Sequence, residues 1–169
     1  MPQIRMGGIS MLRILVTYFS SGSNTKRMAE LVAEGAKGEG VEVSLKAVEE
    51  TSCDDLLEAD GIIVGSPTYY GLPAAEVKQL FDESVKYHGR LSEKVGGAFT
   101  SSGNIGGGNE TTLVAILQMM LIHGMVVQGT AAGDHYGPVA IGAPDERVKP
   151  ECEALGKRVA ELVVKLARA

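Results

Sequence analysis

The chain has 169 residues, a formal net charge of −5 and a hydrophobic content of 44%. This length and composition predict one globular domain with a substantial core and exclude a disordered chain. The acidic balance, without a cluster of lysine and arginine, argues against binding to nucleic acid or to an anionic membrane, because both depend on basic patches.

The first ten residues do not resemble a targeting signal. They contain one arginine and no long apolar stretch, so we interpret residues 1–10 as an N-terminal extension ahead of a single domain, residues 11–169. No apolar run approaches the roughly 18–20 residues of a membrane span. We therefore expect a cytoplasmic protein. Cys53 and Cys152 are too far apart in sequence for a C-x-x-C motif, and no metal site is predicted.

The first predicted strand leads through a polar loop into a helix. Residues 13–19 (RILVTYF) form an apolar, β-branched run, and residues 25–37 have apolar residues at helical spacing. The loop between them therefore lies at a helix N-terminus, where unpaired backbone N–H groups and the helix dipole attract an anion. The side chains that can add donors there are Ser20, Ser21, Ser23, Asn24 and Thr25.

This loop favours a terminal phosphate over the two commonest nucleotide sites. It lacks the Gly-Lys-Ser/Thr ending of a P-loop and the G-x-G-x-x-G spacing of dinucleotide sites. A structural alternative stays open at this point, because a cluster of serine and asparagine before a helix also serves as an ordinary N-cap.

Downstream, strand-like and helix-like segments alternate, which predicts a parallel sheet with helices on both faces. Strands are predicted at residues 41–47, 61–65, 95–100 and 125–128, with 139–141 as a candidate continuation of the last; helices are predicted at residues 74–85, 110–123 and 150–167, and a short helical turn at 54–57. In such a sheet the ligand lies beyond the carboxyl ends of the strands.

The loops after the third and fourth strands should therefore converge with the phosphate loop. Residues 66–73 contain the paired tyrosines Tyr69 and Tyr70 beside Gly71, which could lie along a flat aromatic ligand. The alternative is a tyrosine-rich turn that caps the sheet. Residues 101–110 are rich in glycine, which allows backbone N–H groups to approach a ligand closely.

These segments resemble those of a known family. The stretches TYFSSGSNTKRMAE, GSPTYYGLPAAEVKQLFDE, FTSSGNIGGGNETTL, LIHGMVVQG and HYGPVAIG are similar to the WrbA family of FMN-dependent NAD(P)H:quinone oxidoreductases. The resemblance implies an α/β flavodoxin-like fold, with a five-stranded parallel sheet in the order 2-1-3-4-5. It also implies FMN as cofactor, NADH or NADPH as electron donor, a quinone as acceptor, and a homodimer or homotetramer.

The resemblance also implies roles for particular residues. His123 matches a histidine that borders the flavin pocket in the family and is the candidate catalytic residue, although a histidine in the last helical turn also interacts favourably with the helix dipole. Residues that match the family's cofactor-binding segments are Ser20, Ser21, Ser23, Asn24, Thr25, Pro67, Thr68, Tyr69, Tyr70, Gly71, Thr100, Ser101, Ser102, Gly103, Asn104 and Gly107.

The chain departs from the family pattern in two places. It has no tryptophan, so Tyr87 or His88 is a candidate for the family's tryptophan at a neighbouring subunit's flavin, and residues 129–136 are shorter than the family pattern. An electron carrier of the flavodoxin type is the rival function. The mixed charges of residues 149–158 weakly favour the enzyme over a carrier with a dense acidic face.

Overall fold

The computed structural model describes residues 11–38 and 40–169. The predicted N-terminal extension therefore lies outside the described residues. Seven strands form the sheet: β1 (Leu12–Tyr18), β2 (Val41–Ala47), β3 (Gly61–Tyr69), β4 (Leu72–Pro73), β5 (Val95–Ser102), β6 (Val126–Val127) and β7 (Val139–Ile141).

The sheet runs in the order β2-β1-β3-β5-β6, and these neighbours are all parallel. The predicted count of five strands needs correction in two respects. First, β4 folds back antiparallel to the end of β3. Second, the position beside β5 is divided, because β6 pairs with Val95 and Gly96 whereas β7 pairs with residues 100–102 at the other end. The loop between β6 and β7 leaves the sheet and returns to it.

Helices cover both faces of the sheet. They are α1 (Asn24–Ala36), α2 (Cys53–Glu58), α3 (Ala75–Glu83), α4 (Asn109–Ile122) and α5 (Val148–Ala167), with 3₁₀ turns at Val48–Glu50 and Ser84–Tyr87. One core contains side chains of α1 and α5, and the other contains side chains of α2, α3 and α4. No described helix combines the length and the apolar character that a bilayer span needs.

The strand sequences reflect this layered arrangement. In β1, Ile14 and Val16 belong to the core with α1 and α5, whereas Leu15 belongs to the opposite core. A strand buried on both faces reads as a continuous apolar run, as β1 and β3 do. The edge strand β2 is less buried and keeps an alternating sequence, which is why its predicted bounds agree with the observed ones.

The end of β3 differs most from the prediction. The strand continues to Tyr69 because Thr68 and Tyr69 pair with Pro73 and Leu72 across a two-residue turn. Tyr70 and Gly71 form that turn with φ values of 51° and 80°. Two successive positive φ values are the geometry of a type I′ hairpin turn. Sequence reasoning ended the strand at Gly65, where the apolar run ends, and treated residues 66–73 as a loop.

Helices α1 and α5 pack with their backbones in close contact. A Cβ atom built at Gly156 would lie 2.0 Å from the carbonyl oxygen of Val32, and one built at Gly35 would lie 2.0 Å from that of Glu153. Glycine is a poor helix former, so its presence in both helices reflects this close approach. The contact fixes α1, and with it the polar loop that precedes α1.

We predict that Gly156→Ala lowers the free energy of unfolding by about 1–3 kcal/mol, because the new methyl group overpacks the contact. Helix propensity alone predicts the opposite effect, an increase of roughly 1 kcal/mol in the free energy of unfolding, because alanine favours a helix more than glycine does. Urea denaturation of the variant and of Ala154→Gly, an exposed position on the same helix, checks the sign. A stabilised Gly156→Ala would contradict the close contact.

Candidate active site

A cleft of about 250 Å³ opens at the carboxyl ends of β1, β3 and β5. It is lined by residues 20–25, 67–69 and 101–103 together with Gly142. This volume lies just below the range of roughly 300–1,000 Å³ that is typical of small-molecule sites. The cleft therefore brings together the three loops that sequence reasoning expected to converge. None of the lining residues is aspartate, glutamate, lysine, arginine or histidine.

The start of α1 forms one end of the cleft. Ser23 is the N-cap residue, yet its side chain makes no capping hydrogen bond to the helix. The Ser20 hydroxyl donates to the carbonyl oxygen of Gly22 at 2.9 Å, which shapes the loop from within. The N–H groups of the first helical turn are thus left to an external acceptor. This end of the cleft suits an anion, which the helix dipole would also attract.

Hydroxyl pairs connect the first loop to the other two. Thr25 Oγ1 and Ser101 Oγ lie 2.8 Å apart and are both buried, which joins α1 to the end of β5. Ser21 Oγ and the Tyr69 hydroxyl lie 2.7 Å apart, which joins the loop to the end of β3. These contacts fix the distance between the anion end and the aromatic side of the cleft.

Some predicted cofactor residues lie around the cleft without lining it. Tyr70 and Gly71 occupy the exposed turn beside it, and Asn104 and Gly107 form a tight turn in which Gly107 N donates to Asn104 O at 3.3 Å. Thr100 is fully buried, and its hydroxyl donates to Ser66 O at 2.7 Å. Thr100 therefore holds β3 and β5 together beneath the cleft.

The turn at Tyr70 is strained. Its φ of 51° is uncommon for a bulky residue, and its side chain projects into solvent with a relative exposure of 107%. A left-handed conformation costs an L-residue other than glycine roughly 1–2 kcal/mol. Backbone strain of this kind persists only where several surrounding contacts hold the residue in place, and it is found most often at functional sites.

Sequence reasoning missed one residue that lines the cleft, Gly142, and one buried polar residue next to the glycine-rich loop, Asn109. Gly142 follows β7 and lines the cleft, and its N–H donates to Ser102 O at 2.8 Å. The quoted HYGPVAIG stretch ends at Gly142 and offered the only signal for it. Asn109 begins α4 and is 5% exposed, and its Oδ1 has no hydrogen-bond partner among the described residues. A buried acceptor without a donor next to the glycine-rich loop is suited to a bound ligand.

His123 lies at the opposite end of the molecule from the cleft. It follows α4, a helix of 14 residues and roughly 20 Å that begins beside the glycine-rich loop and runs back along the sheet. The next residue, Gly124, accepts a hydrogen bond from Glu93 N, just before the amino end of β5. The geometry within this chain therefore does not support catalysis by His123 in the cleft.

The surroundings of His123 are those of a structural residue. The Ser84 hydroxyl donates to Phe81 O at 2.7 Å, so His123 Nε2, 2.8 Å from that hydroxyl, must carry the proton. His123 Nδ1 is buried and has no partner among the described residues. Burial of the ring, with a smaller contribution from His88, lowers the pKa of His123. The histidine is held neutral between α3 and α4.

Tyr87 is also engaged within its own chain. Its hydroxyl donates to Asp54 Oδ1, which raises the pKa of Tyr87. Lys86 and Arg90 lie over its ring at 5.1 and 5.3 Å. His88 packs against His123 with their ring centroids 6.1 Å apart. Neither Tyr87 nor His88 lines the cleft of its own chain.

The depressed pKa of His123 predicts a pH-dependent stability. Between the folded pKa and the ordinary value near 6.5, the unfolded chain binds more protons than the folded chain, so the free energy of unfolding falls as the pH is lowered through that window. We expect His123→Gln, whose amide can still donate to Ser84, to flatten this slope in urea denaturation from pH 8 to pH 5. His135→Gln, at an exposed histidine, is the control. Equal slopes for all three proteins would contradict the buried neutral state.

Comparison with known proteins places this geometry in a family. The sequence pattern described as NADPH-dependent FMN reductase matches residues 50–137. A protein from Aquifex aeolicus named flavodoxin is 45% identical over 160 residues, which cover 89% of this chain and 86% of the relative. A protein from Archaeoglobus fulgidus named NAD(P)H dehydrogenase (quinone) is 35% identical over 190 aligned positions, covering 92% of this chain and 100% of the relative.

The solved structures agree with this placement. A flavodoxin, WrbA-like protein from Agrobacterium tumefaciens superimposes with a TM-score of 0.78 at 30% identity, covering 91% of this chain and 98% of that one. The fold is thus flavodoxin-like, as the sequence resemblance implied. The chain belongs to the NADPH-dependent FMN reductase family, as a WrbA-type member with the flavodoxin-like fold.

Proposed function

We propose that this protein is an FMN-dependent oxidoreductase that transfers two electrons from NADH or NADPH to a quinone. The family supports FMN as the cofactor and NAD(P)H as the donor, and the name of the Archaeoglobus fulgidus relative supports a quinone acceptor. One observation carries the proposal: the uncapped start of α1 and the two loops beyond β3 and β5 form a single cleft. Because NAD(P)H is a cytoplasmic reductant, we also propose a cytoplasmic location.

The residues of the cleft fit a flavin phosphate at one end and a flat ring at the other. The hydroxyl and amide side chains of residues 20–25 and the first-turn N–H groups of α1 would hold the phosphate. Tyr69 is 41% exposed and lines the cleft at the end of β3, where its ring can contact an aromatic ligand. Residues 101–103 and Gly142 would supply backbone groups along the remaining wall.

The chain's own residues bind and orient, and the cofactor supplies the chemistry. FMN accepts electrons from NAD(P)H and delivers them to an acceptor when it is bound. Quinone reduction by NAD(P)H also consumes a proton, and no carboxylate, imidazole or ammonium group lines the described cleft. We therefore propose that hydroxyl groups and water at the open mouth of the cleft deliver that proton. The Ser21–Tyr69 hydroxyl pair, which lines the cleft, is one such route.

An electron carrier between proteins is the second candidate. It is favoured by the name flavodoxin of the 45% identical relative. The structure adds an observation in its support, since Glu49, Glu76 and Glu83 line one groove between the first 3₁₀ turn and α3, and no basic residue lines it. Such a groove would attract a basic partner protein.

Assembly into a homodimer or homotetramer remains part of the proposal. Its support is the exposed apolar surface of α4, where Val114, Leu121 and Ile122 are 44%, 59% and 69% exposed. Large apolar side chains exposed on the surface of one helix commonly mark a protein contact.

We predict that FMN binds at least about 100-fold more tightly than riboflavin, because riboflavin lacks the phosphate and loses two or more charge-assisted hydrogen bonds of roughly 1.5–3 kcal/mol each. Titration of both flavins into apoprotein measures the ratio. Ser23→Ala removes a hydroxyl that caps nothing in the helix, so it should weaken FMN binding and leave riboflavin binding unchanged. Equal affinities for both flavins in the wild-type protein would rule out the phosphate assignment.

The second prediction separates the enzyme from the carrier. We expect NADH or NADPH to reduce the FMN-loaded protein directly, and benzoquinone to reoxidise it over many turnovers with ping-pong kinetics, because both substrates use one open face of the cleft. NAD(P)H oxidation, followed by absorbance and compared with free FMN at equal concentration, checks it. If bound FMN stays oxidised under excess NADH and NADPH, the carrier function replaces the enzyme.

A further inference from the structure

The hairpin turn beside the cleft is attached to the start of α4 by one side chain. Thr111 Oγ1 lies 2.7 Å from the carbonyl oxygen of Gly71 and 2.9 Å from that of Gly108. A hydroxyl has a single hydrogen to donate. If the hydroxyl hydrogen goes to Gly108 O, Thr111 only forms a hydrogen bond within the start of α4. If it goes to Gly71 O, Thr111 also holds the turn.

The neighbouring residue settles this choice. Gly108 O already accepts from Thr112 N at 3.0 Å and from the Thr112 hydroxyl at 2.9 Å. A carbonyl oxygen has two lone pairs, and both are used by these two donors. The Thr111 hydrogen is therefore free for Gly71 O, which is also the shorter contact. Back-bonding of a threonine to its own helix is common, but a contact with a turn 40 residues earlier in the chain is not.

Backbone packing reinforces the same attachment. Gly108 has a φ of 99°, and a Cβ atom built there would lie 2.4 Å from Gly71 Cα. The turn thus rests directly on the backbone that begins α4, with no side chain between them. We define the contact of Thr111 and Gly108 with Gly71 as the turn anchor.

The turn anchor explains how the strained turn persists. Tyr70 has a left-handed backbone and a fully exposed side chain, so the side chain itself contributes little packing within the chain. Tyr69, the preceding residue, lines the cleft and contacts Ser21. A shift of the turn would therefore move the aromatic wall of the cleft.

We propose that Thr111 is a positioning residue, which fixes the Tyr69–Leu72 turn and thereby orients the flat part of a flavin bound in the cleft. This inference rests on the proposed function, because it assumes that FMN occupies the cleft. It assigns no chemistry to Thr111, which acts through the turn. It also predicts that the phosphate end, held by the start of α1, does not depend on Thr111.

The test compares three variants of the full chain. Thr111→Val keeps the shape of the side chain and removes the hydroxyl; Thr111→Ser restores the hydroxyl. Thr112→Ser is the matched control, because it alters the adjacent threonine but keeps the hydroxyl that occupies Gly108 O, so the Thr111 hydrogen stays available to Gly71 O. The measurements are FMN and riboflavin affinity, the visible circular dichroism of bound flavin, and amide hydrogen exchange of residues 70–72 in the apoprotein.

We expect Thr111→Val to weaken both FMN and riboflavin binding by about five-fold, the loss of one hydrogen bond, to change the flavin circular dichroism, and to speed exchange in the turn. Thr111→Ser should restore all three, and Thr112→Ser should leave them at wild-type values. If Thr111→Val and Thr112→Ser behave alike, the effect comes from disturbing the start of α4 rather than from the turn contact, and the inference is overturned. If the wild-type protein binds no flavin, the proposed function fails, and unchanged exchange in Thr111→Val would separately refute the anchor.

Discussion

The structure depends on one constraint, the burial of the central strands on both faces. Ile14, Val16 and Ile63 face α1 and α5, while Leu15 and Ile62 face the opposite helices, and all five are almost fully buried. Polar side chains therefore have no place along these strands except at their ends. Because β1, β3 and β5 are parallel, their carboxyl ends meet at one edge. The cleft is the consequence of that shared edge.

The cleft is built from hydroxyl groups and backbone rather than from charged side chains. An anion is attracted there by the unpaired N–H groups of α1, and the loops are positioned by contacts such as Thr25–Ser101 and Ser21–Tyr69. A site of this kind can hold a cofactor without fixing what the cofactor reacts with. This explains why relatives with the same fold bear the names flavodoxin and NAD(P)H dehydrogenase (quinone). The surface around the mouth of the cleft has to decide between these activities.

Two residues in this fold are held in energetically unfavourable local environments. At the cleft, Tyr70 adopts a backbone conformation that few bulky residues tolerate, and the backbone of α4 supports it through Gly108. At the opposite edge, His123 is buried with one ring nitrogen unpaired, which keeps the ring neutral. The first of these lies where a ligand would bind. His123, in contrast, connects the end of α4 to Ser84, which follows α3, and lies far from the cleft.

The sequence by itself determined the alternation of strands and helices, the three converging loops and most of the cleft, because these follow from periodicity and from residue types that favour loops and helix starts. It placed β2 within its observed bounds and the helices within a few residues. Tertiary structure alone decided the rest. Whether residues 66–69 form a loop or a strand depends on pairing with Leu72 and Pro73, and the division of the last strand depends on which end of β5 each segment meets. His123 was assigned to the cleft by resemblance, yet the length and direction of α4 carry it to the other edge of the sheet. Gly142 and Thr111 each donate a hydrogen bond to a backbone carbonyl group distant in sequence, and such contacts do not show in the periodicity of a single sequence.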